Sequence, residues 1–333
     1  MIKLATIGTS WITRAFIGGI SLLPDKYILT AVYSREKSRA EELLKETGKS
    51  AEIYLNLEEM AKSDNIDAVY IASPNSLHFE QAMLMVKNGK HVIVEKPMVT
   101  SEDEFMRLSN AARENNVIFM EAIIPMHLPA RKIIKEEMGR LGRIQSSRFQ
   151  FCQLSSKYQD YLLGKNPNIF NPQFATGTLM DLGIYCVYPA IDLFGLPELI
   201  STKATFLESG SDGSIAANFK YGDHIVSIIA SKTCQSNVPS EILGDCGSLS
   251  IGHISKYDNI YIESSAKNEK IVGEMSKEEL MSYEALDFYR YITDREGTAQ
   301  EYSEMNTLAL TVCAVMEAMR MQADIKFYNF NYN

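Results

Sequence analysis

The stretch His91-Val92-Ile93-Val94-Glu95-Lys96-Pro97 is an apolar run that ends in an acid, a base and a proline. Its centre, Val92 to Val94, has the continuous apolar pattern of a parallel strand buried on both faces. In open α/β sheets ligands bind beyond the carboxyl ends of such strands, and Lys96 stands at one of these ends. Pro97 restricts the residue before it, so Lys96 is expected to leave the sheet in a defined direction. Taken alone, the stretch fits a ligand-binding lysine and an ordinary solvated lysine equally well.

The composition bounds the classes of protein to consider. The chain has 333 residues, 46% of them hydrophobic and 23% charged, which is enough for two globular domains. A net charge of −9 disfavours an extended phosphate-binding surface, so nucleic acid is not an expected partner. No apolar run approaches the roughly 18 residues that a membrane-spanning helix needs, so a soluble protein without a membrane partner is expected.

The cysteines and histidines predict neither a disulfide framework nor a metal site. The five cysteines include no Cys-x-x-Cys pair, which favours a reducing, cytoplasmic location. Three histidines, His91, His224 and His253, are scattered without cysteines or carboxylates at metal-ligand spacing. No metal is therefore predicted.

The first 121 residues alternate short apolar runs with amphipathic segments. Strands are predicted at residues 3–7, 28–33, 68–72, 91–94 and 117–120, and helices at 11–22, 38–46, 57–61, 76–87 and 102–115. Ser101 and Glu104 predict a capping box at the last of these helices, and Gly89 predicts a helix end. This alternation predicts a parallel sheet covered by helices on both faces.

The pattern changes after this point, over residues 122–333. Helices are predicted at residues 129–137, 178–194 and 303–322, and strands at 143–153, 200–208, 214–221, 224–232, 248–251 and 260–262. Ser211-Asp212-Gly213 and Tyr221-Gly222-Asp223 are interpreted as turns between strands. The second region is therefore predicted to be a mostly antiparallel sheet with helices on one face. The apolar stripe of the last helix is expected to form core or a subunit contact.

The first strand leads into Gly8-Thr9-Ser10-Trp11-Ile12-Thr13, at the position of a dinucleotide-binding turn. That turn needs a glycine for the tight bend, a second for close approach of the pyrophosphate and a third for helix packing, and only Gly8 is kept. Ser10 can still bring a small side chain and its N–H to a phosphate at the helix start. A Rossmann-like turn without a ligand is the alternative.

The second strand ends at Tyr33-Ser34-Arg35, where an enzyme that uses NAD would usually place an acid against the ribose. The Ser34 hydroxyl and the Arg35 guanidinium suit a 2′-phosphate instead. We therefore predict NADP(H) in preference to NAD(H), although a solvated helix start would have the same sequence.

Three motifs resemble the glucose-fructose oxidoreductase/inositol dehydrogenase family, often written Gfo/Idh/MocA. They are Ser73-Pro74-Asn75-Ser76-Leu77-His78, then Glu95-Lys96-Pro97, and Thr178-Leu179-Met180-Asp181-Leu182-Gly183-Ile184-Tyr185. With tyrosine at 185, the chain looks most like the branch of dimeric dihydrodiol dehydrogenases and NADP-dependent D-xylose dehydrogenases. Ser10 and the segment 123–129 depart from the pattern of that branch, which leaves the substrate open.

The resemblance implies a doubly wound Rossmann domain over residues 1–121 and an α+β domain with a large, mostly antiparallel open sheet over 122–333. It implies hydride transfer between a nicotinamide and a sugar, polyol or trans-dihydrodiol. It also implies a homodimer formed through the sheet of the second domain.

The resemblance further implies which residues bind the cofactor. They are Gly8, Thr9, Ser10, Trp11, Ile12, Ser34, Arg35, Ser73, Pro74, Asn75, His78, Glu95 and Lys96. Glu95 is expected at the nicotinamide end, and Asn75 with His78 in the loop that faces the cofactor. His78 could equally cap its helix.

Removal of a hydride from a carbinol carbon requires a base for the hydroxyl proton and a positive charge near the developing oxyanion. Tyr185 is the predicted proton acceptor or donor and Lys96 its electrostatic partner, because an adjacent ammonium favours the phenolate. Asp181 and Tyr185 are four residues apart on a predicted helix and would share one face. Asp181 is therefore assigned as an orienting acceptor for a substrate hydroxyl or for the lysine. His127 is a possible substrate contact, or a surface histidine.

Two other functions are compatible with this sequence. One is a regulatory protein that binds NADP and a sugar without turnover, and the other is a glycosidase that uses the nicotinamide transiently. The intact set Lys96, Asp181 and Tyr185 argues against the first, and the basic Arg35 gives the second little support.

Overall fold

The computed structural model describes residues 1–264 and 267–327. The strands of this part of the chain are β1 (Ile2–Ile7), β2 (Tyr27–Tyr33), β3 (Glu52–Tyr54), β4 (Ala68–Ile71), β5 (His91–Glu95), β6 (Phe119–Ala122), β7 (Ile144–Cys152), β8 (Leu199–Phe206), β9 (Asp212–Lys220), β10 (Ile225–Ser231), β11 (Ser240–Gly244), β12 (Gly247–His253), β13 (Asp258–Ser264) and β14 (Lys267–Val272).

The α-helices are α1 (Trp11–Ser21), α2 (Lys37–Thr47), α3 (Leu57–Ala61), α4 (His78–Lys87), α5 (Glu102–Glu114), α6 (Ile124–His127), α7 (Pro129–Glu137), α8 (Tyr158–Leu162), α9 (Ile184–Phe194), α10 (Lys277–Thr293) and α11 (Ala299–Gln322). A π-helical turn, Leu179–Gly183, leads directly into α9. None of the described helices combines the length and the apolar character needed to cross a membrane.

The chain forms two compact units. Among the described residues, the first unit comprises 1–127 and 276–307, and the second comprises 128–264, 267–275 and 308–327. The predicted division after residue 121 concerns functional domains and stays a prediction. The compact units differ from it in the segment 276–307, which returns to the first unit.

Close packing of α10 on α1 explains this return. A Cβ atom added at Gly19 would lie 2.7 Å from the Cβ of Met281, so glycine allows the two helices to approach closely. Tyr27 also donates a hydrogen bond of 2.6 Å to the carbonyl of Ala285. α10 has no counterpart among the predicted helices, although Ser276 and Glu279 form a complete capping box at its start.

The sheet of the first unit has six parallel strands in the order β3-β2-β1-β4-β5-β6. The predicted parallel sheet is confirmed, and the five predicted strands are present. β3 was missed because it has three residues, of which only Ile53 is aliphatic. The strand order reverses between β1 and β4, which makes the carboxyl ends of these strands a topological switch point.

One helix start in this unit differs from its prediction. The Ser101 hydroxyl accepts a hydrogen bond from the N–H of Glu104, as a capping box requires. The Glu104 carboxylate instead accepts from the N–H and hydroxyl of Thr100, each at 2.8 Å. The predicted reciprocal bond to Ser101 is therefore replaced, because Thr100 offers two donors to the same oxygen. Gly89 does lie past the end of α4 with a φ of +74°, as predicted.

The second unit contains an eight-stranded sheet in the order β14-β13-β12-β11-β7-β10-β9-β8. All described pairs are antiparallel except β7 with β10, so the predicted mostly antiparallel sheet is confirmed. β11 and β14 have no counterpart among the predicted strands, because they are short or rich in polar residues.

The apolar stripe of α11 is buried within a single chain. Its members are at most 9% exposed: Met305, Leu308, Val312, Val315, Met316 and Met319. Of the two predicted roles for this stripe, core and subunit contact, the structure therefore supports core.

Candidate active site

Gly8, which follows β1, brings two strand ends unusually close. Its φ is +103°, and a Cβ atom there would lie 2.5 Å from the carbonyl oxygen of Ala72, just beyond β4. Glycine is therefore required at the switch point of the sheet. This is the location in which a dinucleotide-binding fold holds the pyrophosphate.

The start of α1 is suited to an anion. Ser10 is the N-cap residue, and its side chain makes no capping hydrogen bond within the described chain. No acidic residue lies in the first turn, and the first N–H groups of any helix lack partners inside the helix. Thr13 occupies the position of the third glycine and is fully buried, so the fold accommodates the larger side chain. Thr9, Trp11 and Ile12 complete this turn.

Arg35 is the basic residue near the end of β2 that is left for a ligand. Its side chain is exposed and forms no hydrogen bond or ion pair with the described residues. The neighbouring charges are paired with each other, Arg39 with Glu36 at 3.1 Å and Lys37 with Glu41 at 3.6 Å.

Ser34, immediately before Arg35, is nearly buried and its hydroxyl accepts a hydrogen bond from the N–H of Glu36. Glu36, the acid of this segment, is thus paired with Arg39. Arg35 has no such partner among the described residues. The arrangement fits the 2′-phosphate of NADP better than a bare ribose hydroxyl.

His78 connects the segments that follow β4 and β5. Its ring is buried, with Nδ1 2.9 Å from the carbonyl oxygen of Pro97 and Nε2 2.8 Å from the carbonyl oxygen of Ser73. The ring does not cap the helix, so that alternative is wrong. Burial lowers the pKa of His78, and a neutral ring donates to one carbonyl at a time. Pro74 and Asn75 lie in the short segment that this ring spans.

Glu95 and Lys96 follow at the end of β5. Glu95 is 9% exposed and accepts a hydrogen bond from the hydroxyl of Tyr70, whose ring stacks on Phe16 with centroids 3.9 Å apart. Burial raises the pKa of Glu95, and the neighbouring Lys96 partly opposes this effect. The Lys96–Pro97 peptide bond is cis.

In the second unit, Asp181 lies in the π-helical turn and Tyr185 in the first turn of α9. The N–H of Ile184 donates to the carbonyl of Leu179, five residues earlier. The predicted helix is therefore present, but its first turn is wider than an α-helical turn. That Asp181 and Tyr185 share one face stays a prediction, because an interval of four residues is close to one full turn in both α-helical and π-helical geometry. π-Helical turns inside helices are frequent at functional sites.

Lys232 is a residue that the sequence analysis did not identify. It follows β10, and its ammonium forms an ion pair with the Asp181 carboxylate. The lysine side chain is 2% exposed and that of Asp181 31% exposed. A lysine at the end of an apolar strand was the available signal, but it was interpreted as a strand terminus.

Asp212 binds the backbone at the start of the π-helical turn that contains Asp181. It is fully buried, and its Oδ2 accepts a hydrogen bond of 2.6 Å from the N–H of Leu179. A Cβ atom at Gly177, whose φ is +136°, would lie 1.8 Å from Asp212 Oδ1. Burial raises the pKa of Asp212 to about 6. The interpretation of Ser211-Asp212-Gly213 as a turn is wrong, because Asp212 begins β9 and caps a distant helical segment.

Tyr185 lies beside aromatic side chains. Its ring meets Phe151 of β7 edge to face, with centroids 5.6 Å apart, and Phe151 meets His253 of β12 at 5.0 Å. This row could receive the apolar face of a ring-shaped substrate.

His127 is held inside the first unit. It is 7% exposed, and its Nδ1 lies 3.0 Å from a carboxylate oxygen of Asp287. The surface alternative is therefore wrong, and the contact indicates a structural role. No cluster of three or more metal-binding side chains occurs among the described residues.

Two models of protein families match the chain. Residues 2–123 match the oxidoreductase family with an NAD-binding Rossmann fold, GFO_IDH_MocA, and residues 127–250 match the GFO/IDH/MocA C-terminal domain.

Three curated relatives match between 70% and 98% of the chain. The chain is 36% identical to scyllo-inositol 2-dehydrogenase (NADP(+)) IolU of Bacillus subtilis, with 98% of each chain covered. It is 39% identical to the uncharacterized oxidoreductase YgjR of Escherichia coli, over 90% of this chain and 92% of the relative. It is 31% identical to trans-1,2-dihydrobenzene-1,2-diol dehydrogenase of Mus musculus, over 70% and 69%.

Solved structures share the fold at lower identity. The 3-ketoreductase KijD10 of Actinomadura kijaniata, solved with NADP and TDP-benzene, superposes with a TM-score of 0.82 at 21% identity over 98% of this chain and 99% of that one. A levoglucosan dehydrogenase, solved with NADH and levoglucosan, gives a TM-score of 0.80 at 18% identity over 97% of each chain.

Proposed function

The chain belongs to the GFO/IDH/MocA oxidoreductase family, and on that premise we propose that it is an NADP-preferring dehydrogenase acting on CH–OH groups. The substrate is a sugar, a polyol or a trans-dihydrodiol. Among these classes a cyclic polyol is the first to test, because the Bacillus subtilis relative is named for scyllo-inositol.

One observation carries the proposal. Gly8, Arg35 and Lys96 follow β1, β2 and β5, and because these strands are parallel, all three residues lie at one edge of one sheet. The edge thus offers a close approach for a pyrophosphate, an open guanidinium for a 2′-phosphate and an ammonium for the reacting end.

The cofactor would be held by the residues of this edge. The turn Gly8 to Ile12 and the start of α1 would bind the pyrophosphate, and Ser34 with Arg35 the 2′-phosphate. The segment Ser73 to His78 and Glu95 would border the nicotinamide end. When bound, the nicotinamide supplies the hydride acceptor or donor at C4.

The chain's own residues provide the proton chemistry. Tyr185 takes the substrate hydroxyl proton during oxidation and returns it during reduction. Lys96 favours the phenolate and the developing oxyanion through its positive charge. Asp181 accepts a hydrogen bond from a substrate hydroxyl and so fixes the orientation of the carbinol carbon.

The first prediction concerns turnover. We expect the wild-type protein to oxidise at least one member of a panel of inositols, aldoses and diols, and to bind NADP(H) more tightly than NAD(H). We expect Tyr185→Phe to lower kcat by about a hundredfold or more, because proton transfer by a positioned side chain contributes about that much. The measurement is absorbance of the reduced nicotinamide at saturating cofactor.

Tyr261→Phe, on β13, is the matched control and should keep wild-type turnover. Near-normal kcat in Tyr185→Phe would remove the role assigned to this tyrosine. Cofactor binding without turnover across the panel would favour a sensor. Release of sugar from an aryl glycoside without net nicotinamide change would favour a glycosidase.

We also propose a homodimer formed through the sheet of the second unit. Leu199 of β8 and Ile225 and Ile229 of β10 lie on the sheet face opposite Val226 and Ile228, and they are 62%, 48% and 46% exposed. A face with several exposed aliphatic side chains is a common feature of subunit interfaces.

A further inference from the structure

Lys232 is a charged side chain in a buried position. Its side chain is 2% exposed, so its ammonium is removed from most of the water that would solvate it. A buried charge is tolerated when a counter-ion accompanies it, and Asp181 supplies that counter-ion. Asp212, fully buried on the neighbouring strand β9, is close enough for the lysine to lower its pKa in part.

The ion pair has an inner and an outer member. Asp181 keeps 31% of its side chain exposed, whereas Lys232 is almost completely covered. The exposed part of the Asp181 carboxylate can therefore accept a hydrogen bond from a substrate hydroxyl, while its ion pair with the buried Lys232 is kept. Lys232 is thus placed to act through Asp181.

The pair also matters for the charge near Tyr185. An ionised carboxylate one helical turn from a phenol disfavours the phenolate and raises its pKa. That effect opposes the use of Tyr185 as a base near neutral pH. A buried ammonium beside the carboxylate cancels the charge that the phenol would otherwise experience.

We propose that Lys232 is a positioning residue of this dehydrogenase. It fixes the orientation of Asp181 and neutralises its charge, so that the Tyr185 phenol can exchange a proton near neutral pH. The inference rests on the proton-transfer role proposed above for Tyr185.

Besides the Asp181–Lys232 pair, the ionisable groups to consider around the Tyr185 phenol are His253, Asp212 and Lys96. Phe151 of β7 contacts the Tyr185 ring and separates it from His253 of β12. Asp212 of β9 lies under the π-helical turn. Lys96 is the remaining charge assigned to the phenol by the proposed mechanism. Since only the Asp181–Lys232 pair is altered in the experiment below, these other groups contribute equally to all variants.

The test compares pH profiles of kcat for substrate oxidation. In Lys232→Met the Asp181 carboxylate loses the positive charge of Lys232, which should move the acid limb about one unit to higher pH, with kcat about tenfold lower on that limb. KM for NADP should change less than twofold, because the substitution leaves every residue of the cofactor edge in place. In Lys232→Met/Asp181→Asn both charges of the pair are removed, and the limb should return to its wild-type position despite a lower maximal rate.

A second readout needs neither cofactor nor substrate. Tyrosinate absorbance is titrated for each protein and for its Tyr185→Phe version, and the difference reports the Tyr185 phenol alone. This difference curve should shift in the same direction as the acid limb. Lys270→Met, at a lysine of β14 outside this cluster, is the matched control and should leave both curves unchanged. Circular dichroism and thermal melting verify that all variants are folded.

The results distinguish the inference from the proposed function. An acid limb and a phenol titration that stay in place in Lys232→Met, while Tyr185→Phe abolishes turnover, would overturn the inference and leave the function standing. The same conclusion follows if the double variant keeps the shifted limb of the single one. Turnover that persists in Tyr185→Phe would instead refute the proposed role of the tyrosine and, with it, the inference.

Discussion

At the scale of single residues, Glu284 of α10 is an acid in an apolar environment. It is fully buried, and neither carboxylate oxygen has a hydrogen-bond partner within the described residues. Burial raises its pKa well above the ordinary value, the nearby Glu95 raises it further, and Lys277 partly opposes both. The folded protein therefore favours the protonated form of Glu284, which lies near Glu95, the acid that precedes Lys96.

This environment predicts a stability that depends on pH. Because the folded pKa of Glu284 lies above its unfolded value of about 4.3, the buried acid costs nothing below that pH. As the pH rises toward the folded pKa, the wild-type protein loses about 1.4 kcal/mol of unfolding free energy per pH unit through this group. Glu284→Gln should remove the loss, so its advantage over the wild type should grow as the pH rises above about 4.3.

Urea unfolding of both proteins at several pH values measures this advantage. Glu278→Gln, at an exposed position on the same helix, is the control for the general effect of losing an acid. An advantage of Glu284→Gln that stays constant across the range would contradict the assignment of a raised pKa.

At the scale of elements, the segment that carries Asp181 and Tyr185 depends on a cap from another strand. Asp212 on β9 accepts from the N–H of Leu179, and Gly177 leaves the space that the carboxylate fills. A side chain at 177 would both meet Asp212 and force an L residue into a positive φ.

Gly177→Ala should therefore destabilise the protein by about 2 kcal/mol or more, from backbone strain and the weakened cap together. It should also lower kcat, because the π-helical turn holds Asp181. Gly139→Ala is the matched control, since a Cβ there meets no atom within 4 Å. Denaturant unfolding and steady-state kinetics test both variants, and equal stabilities would show that Asp212 does not depend on the glycine.

At the scale of the whole molecule, the proposed homodimer gives the open sheet of the second unit a function. Ile229→Lys should introduce a charge into the apolar face and convert the dimer to a monomer, because a charge buried without a partner costs several kcal/mol. Ile28→Lys, on β2 of the first unit, replaces an isoleucine of similar exposure, 48% against 46%, and should leave the association unchanged. Sedimentation equilibrium at micromolar protein concentration measures the association state of each protein. A monomeric wild type would contradict the proposed homodimer.

The sequence by itself determined the features that local pattern encodes. Short apolar strands alternating with amphipathic helices specified the parallel sheet, because strand and helix periodicities are visible over a few residues. Gly8 and Lys96 were identified for the same reason, since their positions relative to strand ends can be read along the chain.

Only the tertiary structure decided the features that join distant residues. Asp212 reaches Leu179 across 33 residues, and Lys232 reaches Asp181 across 51. Neither pairing has a local pattern. The residues next to an aspartate do not show whether it lies in an exposed turn or is buried by a strand that is distant in sequence. The return of α10 to the first unit and the wider turn before α9 likewise depend on packing, which selects among conformations that local propensity leaves open.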